Sequence, residues 1–340
     1  MSTSLVIQTS FLGDTVLTTP LLAQLANRGP VDVVTTPAAA ALLAGHPAVR
    51  SIIVYDKRGA DRGLGGLLRL ARRLREARYD LALLAQGSWR SAALALLARV
   101  PVRIGFDTSA GRWLYTKRVA YRDDLHHAAR LLMLARPNGR EPTPEERRPT
   151  LAPGDAERAA VDELLARHGV KPGDALVALA PGSIWGTKRW PYYPELAAQL
   201  GERARVVVIG SAGDTVLAEA IGAAAPMAID ATGKLSLLAS AELLRRCGAV
   251  VTNDSAPMHL ASAMGTPTVA IFGPTVPEFG FAPLAPRASV VGLDTLPCRP
   301  CDRHGPQRCP LGHHRCMRDL SPALVAERAL TLLLNPDVLA

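Results

Sequence analysis

The stretch Ala249-Val250-Val251-Thr252-Asn253-Asp254-Ser255-Ala256-Pro257-Met258-His259 decides the fold. A β-branched apolar run stops at Asn253-Asp254-Ser255, and a helical pattern begins with Pro257 in its first turn. Pro suits that position because its missing N–H would have no helical partner there. A second apolar run, Thr268–Phe272, follows the helix. Strand, short loop, helix and strand make a βαβ unit, and such units build parallel sheets. Both runs are apolar on both faces, as strands covered by helices on either side must be.

Working outward, the same alternation recurs. Leu176–Ala180 and Arg205–Gly210 precede the quoted stretch as strands of the same sheet. An earlier series, Leu5–Thr9, Val31–Thr35, Ser51–Tyr55, Asp80–Ala85 and Val102–Phe106, forms a first sheet. Between the two lies Arg136–Pro153, with Pro137, Pro142, Pro144, Pro149 and Pro153 among charged residues. Proline bars a regular helix or central strand, so this segment reads as a linker. The expected division is a domain over 1–150 and another over 151–340. Ser321–Leu334 reads as a last helix, capped by Ser321 with Pro322 at its first position, and placed to cross back toward the first domain. Two such domains facing each other make a cleft lined by strand C-terminal ends, where open α/β sheets bind ligands.

Composition supports this and bounds the function. The 340 residues are 48% apolar but only 4% aromatic, with Ala, Leu and Val supplying the core. That suits helices on parallel strands better than a β-sandwich. The net charge of +9 favours anionic partners. No basic leader precedes an apolar stretch at the N-terminus, and no run approaches membrane-spanning length, so a cytoplasmic protein without structural disulfides is expected.

Loops after strands carry the chemistry. Thr9-Ser10-Phe11-Leu12-Gly13-Asp14 leads into a helix near Thr15. Asp14 is there either an N-cap or a general base for an attacking hydroxyl. The loop lacks both G-x-G-x-x-G and the P-loop pattern, which disfavours a dinucleotide oxidoreductase and a P-loop enzyme. Pro181-Gly182-Ser183-Ile184-Trp185-Gly186-Thr187-Lys188 offers Ser183, Thr187 and Lys188 to phosphate oxygens. Ser255 and the free N–H groups at the start of the next helix suit a diphosphate, and Asp254 suits sugar hydroxyls. His259 either reaches the same pocket or is structural. Cys298, Cys301, Cys309 and Cys316 form C-x2-C-x7-C-x6-C. This reads as a zinc site, a reduced Pro-rich loop, or a basic, His-bearing loop near an anion; the second spacing is not a paired C-x2-C, and no metal is expected. Lys57 to Arg78 carries eight cations against Asp61 and Glu76. Leu64, Leu67, Leu68, Ala71 and Leu74 give that helix an apolar stripe toward the core. Nucleic-acid binding is weaker, because no aromatics interleave the positive stretch.

Ser10-Phe11-Leu12-Gly13-Asp14, Pro181-Gly182 with Lys188-Arg189-Trp190-Pro191, and Asn253-Asp254-Ser255-Ala256-Pro257-Met258-His259-Leu260 occur in that order. In that order they resemble the ADP-heptose glycosyltransferases of the lipopolysaccharide inner core, glycosyltransferase family 9. The tail Cys309-Pro310-Leu311-Gly312-His313-His314-Arg315-Cys316-Met317 draws the resemblance toward the second enzyme of that pathway. The resemblance implies a GT-B fold, two Rossmann-like doubly wound domains facing across a cleft. It implies inverting, metal-independent transfer of heptose from ADP-L-glycero-D-manno-heptose to a heptose of a lipid A–Kdo acceptor. By resemblance Asp14 is the base, and Thr187, Lys188, Ser255 and Ala256 meet donor phosphate. Asp254 and His259 meet donor sugar or phosphate, Leu235 packs on adenine and Asp214 meets ribose. Ala256 stands where the family usually has glycine, and its methyl would crowd phosphate if φ were positive. Lys57, Arg58 and Arg62 gain a partner in an anionic lipid acceptor, with the enzyme peripheral on the inner face of the inner membrane. A first or third heptosyltransferase, a sugar-nucleotide epimerase and a non-enzymatic RNA-binding protein are the competing readings.

Overall fold

The computed structural model describes residues 2–136 and 139–334; Pro137 of the expected linker lies outside them. The chain divides into two compact units, residues 1–152 and 153–340. In the first, strands β1 (Ser4–Ile7), β2 (Val31–Thr35), β3 (Ser51–Val54), β4 (Leu81–Leu84), β5 (Val102–Phe106) and β6 (Lys117–Val119) alternate with helices. These helices are α1 (Leu12–Ala26), α2 (Pro37–Leu43), α3 (Gly63–Glu76), α4 (Trp89–Leu97) and α5 (His127–Met133). The sheet order is β3-β2-β1-β4-β5-β6, all parallel.

The second unit carries β7 (Leu176–Ala180), β8 (Arg205–Val208), β9 (Ile229–Asp230), β10 (Ala249–Asn253), β11 (Thr268–Ile271) and β12 (Ala288–Val291). Its helices are α6 (Asp155–Arg167), α7 (Tyr193–Gly201), α8 (Thr215–Ala224), α9 (Leu237–Arg246), α10 (Ala256–Met264), α11 (Arg315–Arg318) and α12 (Pro322–Leu334). Its parallel order, β12-β11-β10-β7-β8-β9, is the first unit's order read from the other edge. Each unit is therefore a doubly wound sheet with its topological switch point between its first and fourth strands. Ligand-binding loops are expected after β1 and β4, and after β7 and β10.

The central strands are wholly buried, and burying each Leu, Val or Ile contributes about 1.5–3 kcal/mol. Helix α12 uses Val325, Ala326, Ala329 and Leu332 within the core of the second unit. Helix α10 ends on Gly265 at φ 72°, a left-handed C-cap open to glycine at little cost. On α3 the buried stripe is Leu67, Leu70, Ala71 and Leu74, while Leu64 and Leu68 stay exposed, a narrower stripe than the sequence suggests. Among the described residues no helix is long and apolar enough to cross a membrane.

Candidate active site

In the first unit the β1–α1 loop sits at the switch point. Phe11 holds the N-cap position and Asp14 is the third residue of α1, so Asp14 is not the N-cap. The Ser10 hydroxyl lies 2.5 Å from Asp14 Oδ2, and His127 Nε2, from the first turn of α5, lies 3.8 Å from Oδ1. Below this pair, Gln8 Nε2 donates to Thr18 Oγ1 at 3.1 Å, and Thr18 donates to the Asp14 carbonyl at 2.7 Å. The Ser10 hydroxyl holds the Asp14 carboxyl group in one orientation.

Lys57 reaches the same loop and donates to the Thr9 carbonyl at 2.7 Å. Burial holds its ammonium below the ordinary lysine range, and the neighbouring Arg58 and Arg90 charges add to that. From the β4–α4 loop, Gln86 Nε2 donates to Thr9 Oγ1 at 2.5 Å. Of the three cations expected to meet acceptor, then, Lys57 joins the Asp14 loop. Arg58 and Arg62 stand exposed in the following turn and at the head of α3.

In the second unit the loops after β7 and β10 meet. Lys188 Nζ lies 2.6 Å from Asp254 Oδ2, with the two side chains only 9% and 11% exposed. Thr275, from the loop after β11, donates to the same Oδ2 at 2.7 Å. Both contacts fall on one oxygen, so Oδ1 keeps its acceptor capacity for a hydroxyl, and Lys188 keeps two further N–H donors. Asn253 ties the two loops together by donating to the Pro181 carbonyl at 2.9 Å.

Ser255 is the N-cap of α10 in extended conformation, and Ala256 is the first helical residue with φ outside the positive region. The Ala256 methyl thus carries no backbone strain. The first-turn N–H groups of α10, beside Lys188, make an anion-binding end. His259 is buried in α10, with its ring 6.3 Å from that of Phe281.

Asp214 occupies the loop after β8, where its Oδ2 accepts from the Ser211 N–H at 2.9 Å and the Ser211 hydroxyl at 2.7 Å. A Cβ on Gly182 would sit 2.4 Å from the Asp214 carboxylate, so glycine there lets the two loops touch. Leu235 follows Gly233, which has φ 67° and passes within 2.9 Å of Ala212 by the same measure. Ser183, by contrast, is engaged locally, its Oγ accepting from the Trp185 N–H at 3.2 Å.

Thr187, read from the sequence as a phosphate contact, has protein partners on its hydroxyl and its carbonyl. Its hydroxyl donates to the Pro306 carbonyl at 2.5 Å, and its own carbonyl accepts from His314 Nε2 at 2.8 Å. Gly186 N–H donates to Gln307 Oε1 at 3.1 Å, and Trp185 stacks on His304 with ring centroids 6.0 Å apart. The Cys/His-bearing segment is therefore packed against the Lys188 loop.

Its thiols Cys298, Cys301, Cys309 and Cys316 are free. Among the described residues no group of three or more His, Cys, Asp or Glu is arranged to hold a metal ion. Burial pushes the Cys316 thiol up to about 11, and raises Cys301, with the neighbouring Cys298 and Cys309 adding to the latter.

The sequence assigns no role to His127 or Thr275, and His314 reads only as part of the His-bearing segment. Each lies far along the chain from the residue it touches, and a lone His or Thr beside a helix start carries no signal of its own.

A profile of glycosyltransferase family 9 (heptosyltransferase) matches residues 67–310. The lipooligosaccharide heptosyltransferase 2 of Haemophilus influenzae is 29% identical over 97% of this chain and 99% of its own. The lipopolysaccharide heptosyltransferase 1 of Pseudomonas aeruginosa is 30% identical over 98% of this chain and 99% of its own. Among solved structures, the ADP-heptose lipopolysaccharide heptosyltransferase II of Escherichia coli superposes with a TM-score of 0.80. It is 29% identical, with 99% of this chain and 100% of that one covered.

Proposed function

The chain belongs to glycosyltransferase family 9, the heptosyltransferases, and from that premise we propose that it moves heptose from ADP-heptose to a heptose hydroxyl of a lipid A–Kdo inner-core acceptor. The observation that carries this reading is the Lys188–Asp254–Thr275 cluster beside the first turn of α10. It offers positive charge for a diphosphate and a carboxylate oxygen for a sugar hydroxyl in one nearly buried place.

Transfer is a displacement at the anomeric carbon. The acceptor oxygen attacks, the bond from that carbon to the β-phosphate oxygen breaks with inversion, and ADP leaves with the electron pair. Asp14 takes the proton of the attacking hydroxyl, a role its oriented side chain suits as the new bond forms. Charge growing on the departing phosphate is met by Lys188 and the N–H groups of Ser255 and Ala256. Asp214, Leu235 and His259 complete the donor side, and Lys57, Arg58 and Arg62 the acceptor side. Because the acceptor is lipid-linked, the enzyme works at the cytoplasmic face of the membrane.

The test is ADP release from ADP-heptose with lipid A–Kdo acceptors bearing no heptose or one. Release that requires the mono-heptosylated acceptor supports transfer of the second heptose. The Pseudomonas relative, a heptosyltransferase 1 at 30% identity, supports a second reading, transfer of the first heptose, which predicts release with the unsubstituted acceptor. Release with neither, or equally without any acceptor, contradicts both.

A further inference from the structure

The first unit carries apolar side chains that its core does not take. Trp113 is 70% exposed, Leu64 67% and Trp89 61%. Single exposed apolar residues are ordinary, so what matters is that these adjoin. Arg90 Nη2 donates to the Gly63 carbonyl at 2.6 Å, tying the start of α4 beside Trp89 to the start of α3 beside Leu64. Gly111 precedes the turn that holds Trp113, and a Cβ added to it would lie 3.3 Å from the Trp89 Cα. All three lie after the carboxyl ends of β3, β4 and β5, the sheet edge that also bears Asp14 after β1.

The charges packed against Trp113 are positive. The guanidinium carbons of Arg112 and Arg118 lie 4.9 and 5.0 Å from the Trp113 ring centroid. Arg112 and Arg118 donate to backbone carbonyls, of Ser109 and Arg112 respectively, so their charge is not cancelled there. A second copy of the chain would bring arginine against arginine, which opposes self-association through this face. Indole and leucine rimmed by arginine suit the boundary of an anionic bilayer, where rings enter at headgroup level and guanidinium groups meet lipid phosphate.

We propose that this edge of the first unit docks on an anionic phospholipid surface, with Leu64, Trp89 and Trp113 entering the headgroup boundary and Arg90, Arg112 and Arg118 meeting phosphates. The proposal deepens the lipid-linked-acceptor reading, because it brings the acceptor's membrane to the edge that carries Asp14. Docking is nevertheless measurable without any transfer.

The experiment is flotation of the full chain with phosphatidylcholine vesicles, with and without phosphatidylglycerol, for wild type, Trp89→Ala/Trp113→Ala and Arg112→Glu/Arg118→Glu. Wild type is expected to float only with the anionic vesicles, and less at high salt. The tryptophan pair should lower partition about ten-fold, and the arginine pair about thirty-fold or more. Both variants should release ADP at the wild-type rate with a deacylated, water-soluble acceptor and more slowly with acceptor in vesicles. Wild type that ignores phosphatidylglycerol, or binding that survives both double substitutions, overturns the proposal. So does a concentration-dependent dimer that the tryptophan substitutions dissociate, which assigns the face to a second copy. Absence of ADP release with every acceptor, with vesicle binding intact, defeats the transferase reading and leaves docking standing.

Discussion

The two switch-point loops of this molecule are built alike and held differently. In the second unit, Lys188 and Asp254 pair at 2.6 Å in a nearly buried place. Thr275, Asn253, Pro306 and His314 then brace the pair or the loops that carry it. In the first unit, Asp14 has Ser10 on one oxygen and His127 at 3.8 Å from the other. Sheet order and loop position are the same, so the fold does not account for the contrast. The chemistry does. A diphosphate needs fixed charge in place before it arrives, whereas a base must leave a lone pair open to an incoming hydroxyl.

The contrast predicts that damage to the braced loop costs stability and donor binding together, while damage to the Asp14 loop costs rate alone. The largest effect should come from Lys188→Ala, which strands a buried carboxylate. Unfolding free energy should fall by about 3–5 kcal/mol in urea titrations, and donor affinity with it. Lys188→Ala/Asp254→Ala should recover part of that stability but none of the affinity. Recovery of neither would mean the pair is not a coupled unit.

His314→Ala removes a bond to the Thr187 carbonyl and should cost about 1 kcal/mol of stability, with a rise in KM for donor at little change in kcat. An equal fall in kcat would instead place His314 in the chemistry. Ser10→Ala sharpens the other side. Melting should move by less than about 1 kcal/mol in stability terms, while kcat falls about ten-fold as Asp14 loses its orienting hydroxyl.

The smallest effect is one of reactivity. Burial lifts the Cys247 thiol to about 12 and the Cys316 thiol to about 11, so neither forms thiolate at mild alkaline pH. Iodoacetamide at pH 8 should label the partly exposed Cys298 and Cys309 first, which mass mapping reads directly. Early labelling of Cys316 would show that the segment opens away from the Lys188 loop.

How much was legible follows from the same physics. Buried central strands announce themselves, and Val31–Thr35, Val102–Phe106, Leu176–Ala180 and Ala249–Asn253 have the bounds their apolar runs suggest. The strands that escaped reading are β6, β9 and β12, each short and near or at a sheet edge. Lys117-Arg118-Val119 and Ile229-Asp230 are too polar and brief to stand out from loops. Helix α1 starts at Leu12 rather than near Thr15 because Phe11, not a polar cap, occupies its entry.

In the site, loop residues with unusual chemistry such as Asp14, Lys188 and Asp254 could be picked out singly. Their partners could not, since His127 and Asp14, or Thr187 and His314, meet only through the fold. Thr187 shows the cost of that blindness. A hydroxyl beside a lysine in a glycine-bearing loop looks like a phosphate ligand, and nothing in the sequence announces its bond to the Pro306 carbonyl.

The most direct test of the account compares wild type with Asp14→Asn, reading ADP-heptose affinity by calorimetry and acceptor-dependent ADP release in parallel. Unchanged donor affinity with release slowed about a thousand-fold is the predicted result. Release that persists near the wild-type rate, or affinity and rate that fall together, would contradict Asp14 as the base and with it the division of labour between the two loops.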